Sequence, residues 1–238
     1  MQVSSIVIDY MPVPTEIIEL VERFDQYYQK YTSPSYNETQ VRREFIDPLF
    51  KALGWDVDNT QAYDERYKEV IHEDAVKVGG KTKAPDYSFR IGGVRKFFVE
   101  AKKPAVNLKE NPEPAYQLRR YAWSAKLPVS ILTDFEEFIV YDCTRKPSPN
   151  DNSSLGRIEY YTYKDYIPKW DEIVSKYSKK AVFTGKFDDL ADSLVQKKGG
   201  KGTAGIDDAF LAEIEGWREE LAKNLALRNA SLSVRELN

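Results

Sequence analysis

The spacing of apolar residues predicts two helices in the first part of the chain. Residues 14–31 place apolar side chains three or four positions apart, which is the period of an amphipathic helix. A second helix is predicted to begin at NETQ, with Asn37 as N-cap and Gln40 as its capping-box partner, and to end at Gly54. Pro48 is expected to kink this second helix, because proline cannot donate the internal hydrogen bond.

After Trp55 the apolar pattern changes from helical to mostly strand-like. Strands are predicted at about 68–73, 86–91, 94–101, 128–133 and 137–142, with a further edge strand at 157–163. Helices are predicted at about 113–125, 165–178 and 186–197, and the polar run 143–156 is predicted to be a loop. This order of elements predicts an α/β fold, a mixed sheet flanked by helices.

The composition changes near the end of the chain. KKGGKGTAG at 197–205 is typical of a flexible linker, and the following charge-rich segment, 206–238, is predicted to form a helix. Ser233 and Glu236 then have the spacing of a capping box for a helix that the chain does not contain. We therefore expect the N-terminal piece of a longer protein, with a natural C-terminus as the alternative.

Charge and composition limit the class of protein. The 238 residues include 35 Lys and Arg against 38 Asp and Glu, a net charge of −3. Because proteins that hold nucleic acid tightly are usually basic, DNA would have to be bound by a local basic groove or by other domains. The single Cys143 cannot form an internal disulfide, and no apolar run is long enough to span a membrane. We expect a soluble, cytoplasmic protein.

Several enzyme classes are excluded by the sequence. His72 is the only histidine, so a His-based nuclease site and a Ser-His-Asp hydrolase are both excluded. His72 itself is expected to be either a strand-surface histidine or one with satisfied hydrogen bonds, rather than a metal ligand. Neither GxxxxGK[ST] nor GxGxxG is present, so nothing indicates a nucleotide site.

The stretch APDYSFRIGGVRKFFVEAKKP contains the candidate chemistry. Asp86 opens one strand, and Glu100-Ala101-Lys102 ends the next, with residues 100 and 102 on the same strand face. Two carboxylates that lie close together repel each other unless a cation lies between them, and Mg²⁺ prefers oxygen ligands of this kind. A nearby lysine can orient an attacking water or neutralise charge on a phosphate. The alternative is a hairpin with a solvated, charged rim.

The register of this hairpin decides between the two alternatives. With a two-residue turn at Gly92-Gly93, residue 86 pairs with residue 99, and Asp86 faces away from Glu100. A three-residue turn pairs residue 91 with residue 95 and brings Asp86 directly opposite Glu100. The metal site therefore predicts a three-residue turn or a bulge, and a regular 91:94 register without a bulge would argue against it.

Two helices offer supporting residues. Gln117 and Tyr121 lie four residues apart on one helix face, where they could hydrogen-bond a phosphate or a ligating carboxylate. The alternative is a solvated Gln117 beside a partly buried Tyr121. Glu38 could supply a third carboxylate, or it could form only a surface ion pair with Arg42, four residues later.

Taken together, these motifs resemble a known family. PDY at 85–87, VEAKKP at 99–104 and QLRRY at 117–121 resemble the PD-(D/E)XK nucleases, and in particular the branch with a Gln-x-x-x-Tyr motif. That branch includes the nuclease domains of type I restriction R subunits and of single-chain type IIG restriction–modification enzymes. NETQVRREFIDPLFKALGW, LTDFEEFIVYD and the C-terminal segment are similar to other parts of the same group.

The resemblance implies a restriction-endonuclease-like fold and a division of the chain. It implies an N-terminal helical extension at 1–34, a nuclease domain at 35–196, the linker 197–205 and a connector helix, 206–238, toward a downstream domain. Its metal would be Mg²⁺, with Mn²⁺ as the alternative, and its metal ligands would be Asp86, Glu100 and the backbone carbonyl of Ala101. Lys102 would position the water, Glu38 would be an additional acid, and the accessory or DNA-contacting residues would be Gln117, Tyr121, Lys103 and Arg120. Lys103, Arg119 and Arg120 could line a groove with Lys102.

The resemblance also implies a function: an Mg²⁺-dependent endonuclease domain that hydrolyses phosphodiester bonds of double-stranded DNA. It would be the N-terminal cleavage module of a restriction–modification enzyme, with methyltransferase and target-recognition domains downstream. The fragment alone is expected to cut weakly or not at all, and its DNA binding should be salt-sensitive and independent of sequence. The alternatives are an inactive nuclease fold that binds DNA or protein, and the nuclease domain of a repair helicase–nuclease.

Overall fold

A six-stranded mixed sheet forms the centre of the molecule. The computed structural model describes residues 12–196, and the predicted linker and connector helix lie outside this range. The strands are β1 (Val70–His72), β2 (Val76–Val78), β3 (Lys81–Lys83), β4 (Tyr87–Ile91), β5 (Val94–Ala101), β6 (Val129–Thr133), β7 (Glu137–Asp142) and β8 (Arg157–Thr162). The sheet has the order β1-β4-β5-β6-β7-β8, while β2 and β3 form a separate two-stranded hairpin.

Helices cover both faces of this sheet. They are α1 (Thr15–Gln26), α2 (Tyr28–Tyr31), α3 (Glu38–Val41), α4 (Asp47–Ala52), α5 (Pro112–Ser124), α6 (Trp170–Tyr177), α7 (Lys179–Phe183) and α8 (Lys186–Gln196). A π-helical segment, Arg42–Ile46, joins α3 to α4, and a 3₁₀ turn, Tyr163–Asp165, follows β8. The α/β fold with a mixed sheet flanked by helices is confirmed.

The strand pairing places the ends of β5 and β6 side by side. β5 and β6 are parallel, and the other neighbours in the sheet are antiparallel. A parallel pair needs a crossover connection, and α5 lies between β5 and β6 in the sequence. The carboxyl ends of β5 and β6 therefore meet at one edge, where candidate residues 100–102 lie.

Alternate residues of β5 enter two separate cores. Phe97 and Val99 belong to the larger core, shared with α1, α4 and α6–α8. Phe98 belongs to a second core formed with α5 through Leu118 and Ala122. Because side chains alternate across a strand, Glu100 lies on the α5 side of the sheet.

The β4–β5 hairpin was expected to contain either a three-residue turn or a bulge, and it contains the bulge. Ile91 pairs with Val94 across a two-residue turn, in which Gly92 and Gly93 both have positive φ, so the three-residue turn is wrong. The register then shifts, since Arg90 pairs with Arg95 but Phe89 pairs with Phe97. Lys96 is the extra residue of a β-bulge. The bulge, the other expected form, is confirmed.

Asp74 holds this bulge through two arginines. Arg90 and Arg95 face each other across the hairpin, and like charges in that position repel. Asp74 accepts from Arg95 Nε at 2.7 Å and Nη2 at 2.8 Å, and from Arg90 Nη2 at 2.5 Å. Its side chain is 9% exposed. Burial alone would raise the pKa of Asp74, but the hydrogen bonds from Arg95 and Arg90 outweigh it and lower the pKa to about 2.

The expected kink at Pro48 takes the form of the π-helical segment. Pro48 lacks the N–H that would bond to the Glu44 carbonyl, and Arg23 Nη2 donates to that carbonyl instead. The predicted capping box of Asn37 and Gln40 is present at the start of α3. The helix therefore changes its winding at Arg42, directly after α3, which begins with Glu38.

The N-terminal helices share the main core. The predicted helix 14–31 is divided at Tyr27 into α1 and α2. Phe24 of α1 packs with ring centroids 5.2 Å from both Phe45 and Phe135. Residues 1–11, the start of the predicted extension, lie outside the described range.

Three other parts of the fold differ from expectation. The hairpin β2–β3 and the short helix α7 were not predicted. The predicted helix 165–178 is regular only from Trp170, because Pro168 lies within its first turn. No helix of the described residues is long and apolar enough to cross a membrane.

Candidate metal and nuclease site

The bulge brings Asp86 to the face of Glu100. Tyr87 pairs with Val99, so continuing the register by one residue places Asp86 opposite Glu100. Asp86 Oδ2 accepts from the backbone N–H of Ala101 at 2.8 Å, which fixes the carboxylate against the end of β5. Asp86 Oδ1 lies 3.2 Å from Arg42 Nη1. The geometric condition set by the sequence is therefore met.

Glu100 is a buried carboxylate with one oxygen left without a partner. The residue is 2% exposed. Its Oε1 accepts from Lys102 Nζ at 2.7 Å and from Gln117 Nε2, whereas its buried Oε2 has no hydrogen-bond partner among the described residues. Burial, reinforced by the charge of Asp86, raises the pKa of Glu100 to about 7 although Lys102 opposes this.

Lys102 lies between two carboxylates. Its Nζ is 2.7 Å from Glu100 Oε1 and 3.9 Å from Glu38 Oε2. Burial alone would lower the pKa of Lys102, but the charges of Glu100 and Glu38 outweigh it and raise the pKa. The lysine is therefore a cation at neutral pH and lies where it could meet a water or a phosphate.

Glu38 lies beside this cluster, at the first position of α3. Burial raises the pKa of its carboxyl group, and the positive charges of Lys102, Arg42 and Lys103 oppose this increase. The structure records no Glu38–Arg42 ion pair within residues 12–196, so the surface-pair alternative is wrong. Glu38 pairs with Lys102, whereas Arg42 pairs with Asp86.

Arg42 is a residue that the sequence interpretation missed. It donates through Nη1 to Asp86 and through Nε to the Tyr87 hydroxyl at 3.3 Å, and its guanidinium lies 4.7 Å from the Tyr87 ring centroid. Tyr87 in turn donates to Asp47 at 2.7 Å. The signal was available: Arg42 lies four residues after Glu38 and so shares its helix face.

The helix α5 completes the surroundings of Glu100. Gln117 Nε2 donates to the Glu100 carboxylate and also lies 3.2 Å from the Tyr121 hydroxyl. Gln117 and Tyr121 were expected to hydrogen-bond either a phosphate or a ligating carboxylate, and the contact with Glu100 is of the second kind. The alternative of a merely solvated Gln117 is wrong. Tyr121 is 5% exposed, so it supports Gln117 from within the second core.

The basic residues around the site fall into two groups. Lys103 and Arg120 are half-buried, and the Arg120 guanidinium lies 5.3 Å from the Tyr116 ring centroid. Arg119 is 2% exposed and pairs with Asp151 at 2.9 Å. Arg119 as a groove residue is therefore wrong, because its guanidinium is committed to holding the loop after β7.

His72 has the satisfied role that was expected. Its Nδ1 lies 3.3 Å from Arg42 Nη2, and its Nε2 lies 3.2 Å from the Val57 carbonyl oxygen. Arg42 can only donate and a carbonyl can only accept, so these partners fit the tautomer with the proton on Nε2. This arrangement gives His72 no free nitrogen for a metal.

The carboxylate oxygens of Asp86 and Glu100 fit a hard cation such as Mg²⁺, which keeps several bound water molecules. Within residues 12–196, no group of three or more His, Cys, Asp or Glu side chains is arranged to hold a metal ion. Mg²⁺ commonly uses one or two protein carboxylates, with water and phosphate oxygens as its other ligands. Asp86 and Glu100 match that demand, and the unpartnered Oε2 of Glu100 supplies an oxygen without a competing donor. The Ala101 carbonyl stays a predicted ligand.

Ionisation of Glu100 is expected to destabilise the metal-free protein. Its raised pKa means that the folded state keeps a proton that the unfolded state has lost, so the free energy of unfolding falls as pH rises from about 4.5 to about 7. Between pH 5.5 and 8 we expect a loss of about 1–2 kcal/mol.

Urea unfolding in EDTA measures this effect. Glu100→Gln lacks the ionisable carboxyl group, so this loss of stability with pH should be absent from the variant. The difference in free energy of unfolding between variant and wild type should therefore grow as pH rises. Glu110→Gln, at an exposed position, should follow the wild-type pH profile. A Glu100→Gln profile that also follows wild type would show that Glu100 does not carry this pH dependence.

Comparison with known proteins finds similarity to restriction enzymes. Residues 66–149 match the model of the family described as the type I restriction enzyme R protein N terminus. The chain is 37% identical over 225 residues to the type II restriction enzyme and methyltransferase RM.Eco57I of Escherichia coli. That alignment covers 94% of this chain and 22% of the relative, so the chain spans less than a quarter of the relative's length.

A solved structure is also similar in part. The cryoEM structure of a DrdV–DNA complex aligns with 92% of this chain and 20% of the DrdV chain, at 16% identity and a TM-score of 0.40. The family match includes the segment that contains Asp86, Glu100, Lys102, Gln117 and Tyr121. Over residues 66–149 the chain is thus similar to the N-terminal part of type I restriction R proteins.

Proposed function

We propose that residues 35–196 form an Mg²⁺-dependent endonuclease domain that hydrolyses phosphodiester bonds in double-stranded DNA. The observation that carries the proposal is the bulge-dependent placement of Asp86 opposite Glu100, with Lys102 bonded to the Glu100 carboxylate. Hydrolysis by this arrangement needs water, a phosphate and a cation. Mn²⁺ is the alternative metal.

Each site residue has a chemical task in this proposal. Asp86 and Glu100, with the Ala101 carbonyl, would hold the ion, which when bound polarises the phosphate and increases the acidity of a coordinated water. Lys102 orients the attacking water and neutralises charge that develops on the phosphate. Gln117 holds the Glu100 side chain by its hydrogen bond, and Glu38 keeps Lys102 in place from the other side.

The surroundings of the domain are part of the same proposal. The relative RM.Eco57I is named a restriction enzyme and methyltransferase, and it is much longer than this chain. We infer that the domain works with methyltransferase and target-recognition domains that hold the DNA. The net charge of −3 supports this inference, because a chain that is acidic overall attracts a polyanion only weakly.

Calorimetric titration with Mg²⁺ and Mn²⁺ tests the metal site directly. Asp86→Ala should weaken binding by at least about tenfold, because one of two anionic ligands is lost. Asp86→Asn should weaken it similarly while keeping an oxygen acceptor for the Ala101 N–H, which separates ligand loss from misfolding. Asp171→Ala, at an exposed position of α6, is the matched control.

Identical metal binding by wild type and both Asp86 variants would contradict the catalytic proposal. It would favour the alternative of an inactive nuclease fold that binds DNA or protein. Asp86 contacts Arg42 and the Ala101 N–H. These contacts would fit a metal site and an inactive fold equally well, so the titration decides between the two.

A further inference from the structure

The unpredicted hairpin β2–β3 presents an isolated group of positive charges. Val76 and Val78 bury one face of the hairpin in the second core, while β3 is exposed along its whole length. Its turn, Gly79-Gly80, has positive φ at both residues, and a Cβ added at either glycine would meet no atom within 4 Å. The tip therefore projects into open space from an anchored base.

The lysines of this hairpin lack acidic partners. Within the described residues, the side chains of Lys81 and Lys83 make no ion pair or hydrogen bond, and Lys77 donates to Thr82 at 2.7 Å. Some lysines elsewhere in the fold are paired, as Lys96 is with Asp188 and Lys176 is with Glu159.

The local charge balance is strongly positive. The chain has no acid between Asp74 and Asp86, and Asp74 is already shared by two arginines, so it cannot neutralise the hairpin lysines. Lysines that lie close together without acidic partners repel one another. A bound polyanion would relieve this repulsion, so we expect the hairpin lysines to bind one.

The hairpin is also close to the candidate site. It packs on the same core as α5, and α5 carries Gln117, which contacts Glu100. Lys83 precedes Asp86 by three residues, so their Cα atoms are at most about 10 Å apart. Each strand of B-DNA carries a phosphate about every 3.4 Å along the axis, so an adjacent hairpin would reach several phosphates beside the cleaved one.

We propose that the β2–β3 hairpin binds the DNA backbone next to the cleaved phosphate, through Lys81 and Lys83. This inference rests on the proposed function for its choice of DNA as the partner. Lysine acts as a point charge toward phosphate, so the contact adds affinity and no sequence preference. The glycine turn at the tip has no side chain to obstruct the approach of a DNA strand.

The test is the salt dependence of DNA binding by the 238-residue chain. Fluorescence anisotropy of a labelled 30-bp duplex in EDTA, at about 20–150 mM salt, gives the slope of log K against log salt concentration. Lys81→Gln/Lys83→Gln should reduce the magnitude of this slope by about 1–2 and weaken binding by about tenfold at the lowest salt. Lys81→Arg/Lys83→Arg should keep the wild-type slope.

The control variant is Lys180→Gln/Lys186→Gln, which makes the same change in charge. Both control lysines are exposed and lie on the helices of the larger core, on the other side of the sheet from α5. This variant should bind DNA within about twofold of wild type. A slope for the Lys81/Lys83 variant that equals the control would overturn the proposal, as would a wild-type chain that binds no duplex.

This result can be separated from failure of the nuclease proposal. The anisotropy assay contains no metal, whereas the Asp86 variants test metal binding without DNA. A chain that binds Mg²⁺ through Asp86 but shows no change at Lys81 and Lys83 keeps its candidate active site and loses only the hairpin contact.

Discussion

Lys102→Ala is expected to slow DNA cleavage by about 10²–10³ while leaving metal binding intact. The Lys102 ammonium lies against Glu100 and near Glu38. Removing a preorganised charge of this kind lowers rates by about 10²–10³. Its removal leaves Glu100 Oε1 with Gln117 as its hydrogen-bond donor and takes away a cation that repels the metal, so Mn²⁺ should bind at least as tightly as in wild type.

Nicking of supercoiled plasmid under single-turnover conditions, with enzyme in excess and Mn²⁺ present, measures the rate. Lys103→Gln is the matched control, since it removes the neighbouring positive charge without touching Glu100. It should weaken DNA binding but keep the rate at saturating enzyme. Cleavage by Lys102→Ala at the wild-type rate would remove the lysine from the proposed chemistry.

Asp74→Asn is expected to destabilise the fold by about 2–4 kcal/mol at pH 7, since it leaves two facing arginines without their shared partner. Arg90 is 14% exposed and Arg95 34%, so water compensates for the loss only in part. The lowered pKa of Asp74 gives the sign of the pH dependence. Its contribution is complete above about pH 4 and is lost as pH falls toward 2, where the carboxylate is protonated.

Urea unfolding at pH 7 and at pH 3 measures this contribution. Asp188→Asn is the control on the same bulge, because it removes the exposed partner of Lys96 and should cost less than about 1 kcal/mol. Asp74→Asn should also weaken Mg²⁺ binding, although Asp74 makes no recorded contact with Asp86 or Glu100. Unchanged stability and metal affinity would show that the register does not depend on Asp74.

The sequence predicted the two strands that carry the site because that information is local. The apolar run before Glu100 is typical of a buried strand, and the charges after it marked its end. Gly92-Gly93 marked the turn, but the turn alone would have placed Asp86 on the wrong face. The bulge at Lys96 lies beside the ion pair of Arg95 with Asp74, residues more than twenty positions apart, and such a tertiary contact leaves no local pattern.

Two other differences between the predicted and the observed structure, at the β2–β3 hairpin and at Arg119, have separate physical origins. The hairpin β2–β3 did carry a signal, since Val76 and Val78 alternate with Lys77 before two glycines, but strands of three residues are too short for periodicity to be decisive. Arg119 and Arg120 are neighbours of the same residue type, yet one is buried against Asp151 and the other stacks on Tyr116. Helical phase separates them, and the sequence alone did not show which face was covered.

The π-helical segment Arg42–Ile46 sets the rotational phase of two site residues. One extra residue in a helix rotates the turns before it by about 100° relative to the turns after it. The buried face of α4, with Leu49 and Phe50, is fixed by the core, so this rotation falls on Glu38 and Arg42. Shortening the segment by one residue would retain the core contacts of α4 and turn both side chains away from Lys102 and Asp86. A local change in winding thus determines which residues of the first helix belong to the site.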